Sequence, residues 1–494
     1  MFSKLSGIFL ITALPMIFYG CLSVGPDYVG HPVTTPGKWH ANLENGLAQG
    51  PVEDQFRADW WTVFNDPVLS DLTTRLVSGN LDLKAAGSRL QEARAKRGLS
   101  RSEAFPTLDA AASVRKMNTG SNSGSGTDRE LYTAGFDAAW ELDIFGGVRR
   151  SVEAADANVE AAGGDVGDVM VSLLAEMARN YVEMRAFQAK LAIVSANIRL
   201  QEETCRLAAW RLSAGLGNAL ELEQARYNLA STLSTRPSLQ TGLEETKNRM
   251  AVLLGLPPGN LHQELEPTAP IPTPPENIAV GIPADVLRQR PDLVKAEREL
   301  AAQTANIGVA AANQYPRFTL NGSIGLESLS AGNLFSLSSR TSSFGPQVVW
   351  SIFDGKAVKR NIEVQSAIRD QVLYQYESAV LNALEEVENA LSAYSGERHR
   401  MASLSEAVRA AREAESLARV RYEAGLADFS TVLEAQRSLY SFESQQAESL
   451  SLGATDLIAL YKALGGGWLP ADNSCNPSSN QGKQGNENHT PGNH

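Results

Sequence analysis

The sequence predicts a mainly helical chain that also carries membrane-type β-strands, built from one unit present twice: helix, β-hairpin, very long helix, returning helix. Three observations predict it. "NLDLKAAGSRLQEARA" at 80–95 reappears as "RPDLVKAERELAAQTA" at 290–305, an offset of 210 residues that then holds without gaps. Each copy contains two stretches of strict period-two alternation, the mark of strands with one apolar and one polar face. Each copy also contains a run of about sixty residues suited to helix, the first carrying an apolar stripe at spacings of three and four.

The offset aligns Asp82 with Asp292, Phe105-Pro106 with Tyr315-Pro316, Trp140 with Trp350, and Arg149-Arg150 with Lys359-Arg360. Further on, "RLSAGL" at 211–216 meets "RYEAGL" at 421–426, and Leu254-Gly255 meets Leu464-Gly465. A single register over most of the chain marks a duplicated structural unit. The two units span 68–255 and 284–465, with a proline-rich connector at 256–283 between them.

Taken in order, the chain begins with Lys4 and an apolar run from Leu5 to Tyr19 that contains Pro15. That run is shorter than the roughly 20 residues a helix needs to cross a bilayer, so 1–20 reads as an export signal. It stops at Gly20-Cys21 and resembles the lipobox of bacterial lipoproteins, which implies cleavage before Cys21 and a covalent lipid on it. Leu22, where inner-membrane lipoproteins often carry aspartate, resembles the outer-membrane-sorted class. The other reading is a signal cut elsewhere with Cys21 a bystander. A free exposed thiol in an oxidising compartment argues against that. Residues 21–67 are then a lipidated N-terminal segment and part of a belt around the helices.

Within each unit a helical segment, 68–103 and 284–312, ends before Pro106 and Pro316. The strands follow at about 107–117 and 131–142, then 317–327 and 343–353. Long helices over 148–209 and 357–419 give rods on the order of 90 Å, too long for a compact globule. They stop at Ala214-Gly215-Leu216 and Ala424-Gly425-Leu426, where glycine suits a left-handed helix end. Returning helices cover 219–254 and 428–463. Residues 466–494 end in a polar, low-complexity tail that is expected to be disordered.

Strands of about ten residues are long enough to cross a bilayer at a tilt. Their apolar faces carry Tyr132, Phe136, Trp140, Phe318, Phe344 and Trp350, and their opposite faces are polar, as in a barrel with lipid outside and water inside. Hairpins packed on a soluble core would fit the strands alone; the membrane anchor and the rods favour the barrel. Four strands cannot close one, because unpaired edges in lipid strand their backbone groups. Copies must therefore share strands in a ring: two would give eight strands, three would give twelve and room for a lumen.

Little in the chain suggests catalysis. The net charge of −12 argues against a nucleic-acid partner. None of His31, His40, His262, His399, His489 and His494 lies at metal-ligand spacing with a Cys or carboxylate partner. Gly465-Gly466-Gly467 lacks the lysine of a phosphate-binding loop, and no G-x-S-x-G elbow occurs. Glu385, Glu386 and Glu388 read as a solvated helix face. Cys205 reads as core packing and Cys475 lies in the tail, so no disulfide framework is expected. No enzyme activity, metal or cofactor is expected beyond the lipid.

The segments "CLSVGPDYVGHP", "WWTVFNDPVLSDL", "AFPTLDA", "WELDIFGGVRR", "RPDLVKAERELAAQTANIGVAAANQYPRFTL", "WSIFDGKAVKR" and "RYEAGLADFSTVLEAQRSL" together resemble the TolC family of outer-membrane efflux proteins, in its NodT-type lipoprotein branch. The resemblance implies a homotrimer: a twelve-stranded barrel in the outer membrane, continued by a twelve-helix periplasmic tunnel with a belt around its middle. It implies a passive duct that completes a three-part pump with a periplasmic adaptor and an inner-membrane transporter of the resistance-nodulation-division class. Matched to the family motif, Tyr422, Glu434 and Arg437 would hold the periplasmic aperture closed; the equivalents in the first unit, Leu212, Gln224 and Tyr227, lack the charges. The plainer reading is that Glu434 and Arg437, three apart on a helix, pair along its surface. The turns at Gly215-Leu216 and Gly425-Leu426 would dock the adaptor. The exit duct of a type I protein secretion system and a non-conducting envelope tether are the alternatives.

Overall fold

A computed structural model describes residues 23–31, 35–44, 46–50, 58–118, 122, 128–275, 277–281 and 283–468. The export signal, Cys21, Cys475 and the polar tail lie outside the described residues. A short strand β1 (Leu47–Gln49) and a 3-10 turn (Trp60–Phe64) precede α1 (Pro67–Gly79) and α2 (Leu81–Ser102). The hairpin β2 (Thr107–Asn118) and β3 (Asp128–Leu142) then leads into α3 (Gly147–Ser213) and α4 (Ala219–Leu253). After the short β4 (Ile278–Val280), the series returns: α5 (Pro283–Gln289), α6 (Pro291–Ala312), β5 (Arg317–Ser328), β6 (Arg340–Val349), α7 (Ala357–Glu423) and α8 (Phe429–Ala463). Matching elements have matching lengths: 22 residues in α2 and α6, 67 in α3 and α7, 35 in α4 and α8. At 1.5 Å per residue the long helices run about 100 Å. No helix among the described residues is long and apolar enough to cross a membrane.

The single helices expected at 68–103 and 284–312 are each split, and 210 residues apart. Asn80 leaves helical geometry, caps α2 by accepting from the Leu83 amide, and donates its side-chain amide to the Leu253 carbonyl. Arg290 is extended because it precedes Pro291, and the proline ring excludes helical geometry there. Its guanidinium reaches Asp292, Glu386 and the Ala463 carbonyl. The acidic run is therefore not simply a solvated face: Glu386 holds Arg290, and Glu388 accepts from the His40 and Ala41 amides.

The four long strands form one antiparallel sheet in the order β2-β3-β5-β6. Thr107 faces Ala139, and Arg317 faces Val349, so both hairpins have the same register. Across the sheet the rows alternate in character. Leu108–Ala138–Gly322–Phe344 and Ala110–Phe136–Ile324–Ser342 are mainly apolar, while Asp109–Asp137–Ser323–Ser343 is polar. Phe136, Ile324, Phe344 and Val348 are exposed. At the centre Gly135 faces Gly325, and a Cβ at 135 would lie 2.7 Å from the Ile324 carbonyl oxygen. Only glycine permits that approach.

Each hairpin is tied to its preceding helix by a tryptophan: Trp140 Nε1 donates to the Ala104 carbonyl at 2.9 Å, and Trp350 Nε1 to the Gln314 carbonyl at 3.1 Å. The strand expected over 343–353 instead occupies 340–349. Residues 140–142 remain in β3 because β5 pairs with them; their counterparts 350–352 have no strand on their outer side in a single chain, and Ile352 and Phe353 stand exposed.

The main core lies partway down the rods. Met177, Tyr181, Leu391, Tyr394, Leu457 and Ile458 are buried there, wrapped by Trp39, Trp60, Leu72, Leu261 and Ile278 from the flanking segments. Trp60 stacks on Tyr461, β1 pairs with β4, and Trp39 Nε1 donates to the Gly281 carbonyl.

Candidate aperture at the helix tips

The far ends of the rods are two copies of one turn. In α3 the Gly215 amide donates to the Leu212 carbonyl at 3.0 Å and the Leu216 amide to the Arg211 carbonyl at 2.8 Å. In α7 the Gly425 and Leu426 amides donate to Tyr422 and Arg421 at the same distances. This pairing of the last carbonyls with a left-handed residue and its successor is the Schellman stop. Gly215 and Gly425 have φ of +72° and +73°, with open space where a Cβ would be, so the backbone angle and not packing requires glycine. Leu216 and Leu426 follow, 70% and 78% exposed at the two tips.

Just behind the turns a small core of Ala208, Ala225, Tyr422, Phe429, Val432 and Leu433 joins the two units. Cys205 packs against it as a free thiol, which burial pushes up in pKa. Tyr422 is buried, and its hydroxyl donates to Glu221 Oε2 at 3.2 Å. The Arg211 guanidinium lies 4.7 Å over its ring. Burial and the Glu221 carboxylate push the phenol up to about 12, so it stays a neutral donor at any physiological pH.

Arg437 also joins the two units. Its Nε and Nη2 donate to Asn228 Oδ1 at 3.1 and 2.6 Å, and Nη2 reaches the Tyr227 hydroxyl at 2.8 Å. The preceding residue, the buried Gln436, donates to Thr204 Oγ1 at 2.9 Å. Arg437 therefore reaches across to α4 rather than back along its own helix. Glu434 is exposed and has no hydrogen bond or ion pair among the described residues. Of the three expected residues the structure brings Tyr422 and Arg437 against the first unit and leaves Glu434 aside. Sequence reasoning missed their partners Arg211, Glu221 and Asn228. Arg211 has a repeat counterpart in Arg421, but Glu221 aligns with Thr431 and Asn228 with Ser438, so comparing the units does not reveal them. A capping pattern, Asn218 followed three residues on by Glu221, was the available signal.

At the other end, residues 23–31 run along the rods. The Val24 amide donates to the Phe145 carbonyl, and the buried Arg150 holds Val24, Gly25 and Asp27. Tyr28 then donates to Glu297, and His31 lies 3.2 Å from Glu377. This strap starts at the junction of strands and helices, and Trp39 further along the chain packs into the main core.

The model of the outer membrane efflux protein family matches residues 72–256 and 282–466, two spans that are again 210 residues apart. Nodulation protein T of Rhizobium leguminosarum bv. trifolii is 33% identical over 469 residues, covering 92% of this chain and 96% of that protein. The pyoverdine export outer membrane protein OpmQ of Pseudomonas putida is 31% identical over 463 residues, covering 92% and 96%. The solved structure of the outer-membrane channel OprN superimposes with a TM-score of 0.85 at 36% identity, covering 90% of this chain and 99% of that one.

Proposed function

Because the chain belongs to the outer membrane efflux protein family, we propose that it is the outer-membrane channel of a three-part efflux pump, passing small toxic compounds passively from periplasm to exterior. The observation that carries the reading is a two-faced sheet with both edges open: β2 and β6 each pair on one side only. In lipid such edges need partners.

The duplication supports a register for the partners. In one chain β3 meets β5 with Phe136 opposite Ile324 and Ala138 opposite Gly322. Moving that joint by 210 residues sets Pro346 of β6 opposite Val114, and Val348 opposite Ala112, in β2 of a neighbouring copy. It also gives the exposed residues 350–352 a strand to pair with. Three copies make a twelve-stranded barrel wide enough for a lumen, whereas two would fill theirs with side chains. The long helices α3, α4, α7 and α8 of three copies then number twelve and continue the bore as a tube. The polar rows with Asp109 and Asp137 line the inside, and the exposed Phe136, Ile324 and Phe344 face lipid.

The strap supports a lipid on Cys21. Ser23 sits against Gly146 at the foot of the sheet, and two residues of chain reach at most about 7 Å. An acyl anchor attached close before Ser23 would insert into the inner leaflet. At the opposite end the paired turns at Gly215-Leu216 and Gly425-Leu426 offer six similar contacts per trimer to a periplasmic adaptor, which hands on substrate from an inner-membrane transporter of the resistance-nodulation-division class. Tyr422 and Arg437 hold the aperture shut through α4 until the adaptor arrives.

Purified protein added to planar bilayers tests the reading. Discrete conductance steps from a trimeric species are expected; a stable single-copy species that conducts nothing overturns it. Mass spectrometry of the N-terminal peptide, with Cys21→Ala as control, reads the lipid directly.

A further inference from the structure

We propose that the outward face of the sheet holds a groove for one phosphate-bearing lipid of the outer leaflet, its acyl chain lying across the strands and its phosphate on Arg340. This rests on the reading of the sheet as a barrel wall.

The groove has a volume of about 880 Å3. It lies between two successive outward rows, with Phe136 and Ile324 on one wall and Leu326 and Arg340 on the other. The backbone of the intervening row, including Gly135 and Gly325, is its floor. Side chains of the flanking inward rows take no part in it, so the groove opens on the apolar face. Its walls are mainly hydrocarbon and turn polar at the β6 end, where Arg340 stands with Thr341 and Ser342.

The position of Arg340 fits a head group. It faces Leu326 in the last pair of the β5–β6 ladder, nine residues beyond Arg317 at the helix end. At about 3.3 Å per residue and a tilt of about 40°, that is roughly 23 Å up a wall whose apolar band is about 25 Å tall. Arg340 therefore sits at the outer interface. The outward cation on β2, Lys116, is 3.5 Å from Asp128. Arg340 is exposed with no carboxylate partner among the described residues. A planar guanidinium at a lipid interface, lacking an acid of its own, is matched by a phosphate, which it can bind through two parallel hydrogen bonds. The loop beyond it exposes Leu329, Phe335 and Leu337, apolar side chains suited to the same leaflet. A second copy is not the occupant, since copies meet through β2 and β6 and leave this face outward.

The test uses the full-length protein in detergent, incubated with diphosphorylated lipid A or with the same lipid after phosphate removal, and counts bound lipid by native mass spectrometry. One retained lipid per chain is expected, for the phosphorylated form alone. Arg340→Gln should weaken retention about tenfold, as loss of a charge-assisted pair does. Arg340→Lys should retain part of it, and Ala134→Trp should block it by filling the groove while leaving the cation in place. Equal retention of the two lipids, or undiminished retention in Arg340→Gln, overturns the proposal. Each variant is also tested for planar-bilayer conductance. If the unaltered protein fails to insert, the barrel reading falls; if all insert and lipid counts do not change, only the groove does.

Discussion

Arg437 of α8 donates Nη2 to Oδ1 of Asn228 in α4 at 2.6 Å, so a side chain from the second unit holds a helix of the first. Arg437 is exposed, and an exposed charged contact stabilises by about 1 kcal/mol at most. Repeated in the three copies of the proposed trimer, that would be enough to bias a two-state aperture. Arg437→Ala should raise the closed-state conductance of single channels, and Asn228→Ala should do the same. The double variant should add little to either single one, because both remove one contact. Additive effects would mean that the two residues act separately.

Tyr422 and Glu221 give a second handle on the proposed closure. Tyr422→Phe removes the hydroxyl but keeps the buried ring beneath Arg211 and beside Phe429. Loss of a hydrogen bond to a charged group costs about 1.5–3 kcal/mol. Conductance should therefore rise while the melting temperature of the trimer changes little. Tyr422→Ala should lower both closure and stability, since it also empties part of the tip core.

Closure of the ring predicts a bond between copies. Val348→Cys and Ala112→Cys in one chain should form an intermolecular disulfide on oxidation and run as a covalent trimer on denaturing gels. The transposed register puts the two Cα atoms directly opposite, within the 4.4–6.8 Å that a disulfide spans. Moving one cysteine by a single residue, to Gln347, turns it to the lumen face and should abolish the bond. Equal yields at 347 and 348 would reject the register.

At the tips, structure and docking can be separated. Gly425→Val forces a β-branched side chain to φ near +73° and should cost about 1–2 kcal/mol locally. Leu426 is exposed, so Leu426→Asp should leave folding intact and abolish efflux through loss of adaptor contact. Drug susceptibility beside immunoblotted protein levels reads both. Full efflux by Leu426→Asp at normal levels would remove these turns from the docking surface.

The sequence was most legible where one rule acts along a local stretch. Gly215 and Gly425 mark their helix stops because only a left-handed residue closes that turn, and the alternation from Leu108 to Val114 marks a strand because its two faces meet different media. Trp350 was placed in a strand on the same rule. In one chain it lies beyond the ladder, because pairing there depends on a neighbour. The split at Asn80 was missed because its side chain caps one helix while bonding another at Leu253, a contact distant in sequence. Arg437 shows the same limit: three residues from Glu434 it has a local partner on paper, yet tertiary packing brings Asn228 nearer.

Asp456 predicts how stability depends on pH. It sits half-buried in α8, and burial, with the nearby Glu397 carboxylate adding repulsion, pushes its carboxyl up to about 6. The folded protein thus holds this proton more tightly than the unfolded chain, whose aspartate titrates near 3.8. The sign follows from linkage: this group's contribution is full below about pH 4 and is lost as pH rises through about 6. Glu397 is otherwise engaged, accepting from Ser449 and lying 3.6 Å from Arg400, so it does not relieve the repulsion. Melting temperature recorded from pH 4.5 to 7.5 should fall further in the unaltered protein than in Asp456→Asn, with the difference growing through pH 6. The variant should be the more stable of the two at pH 7.5, because its amide fills the same space without a charge to bury. Parallel curves across that range would show that Asp456 titrates alike in the folded and unfolded chains.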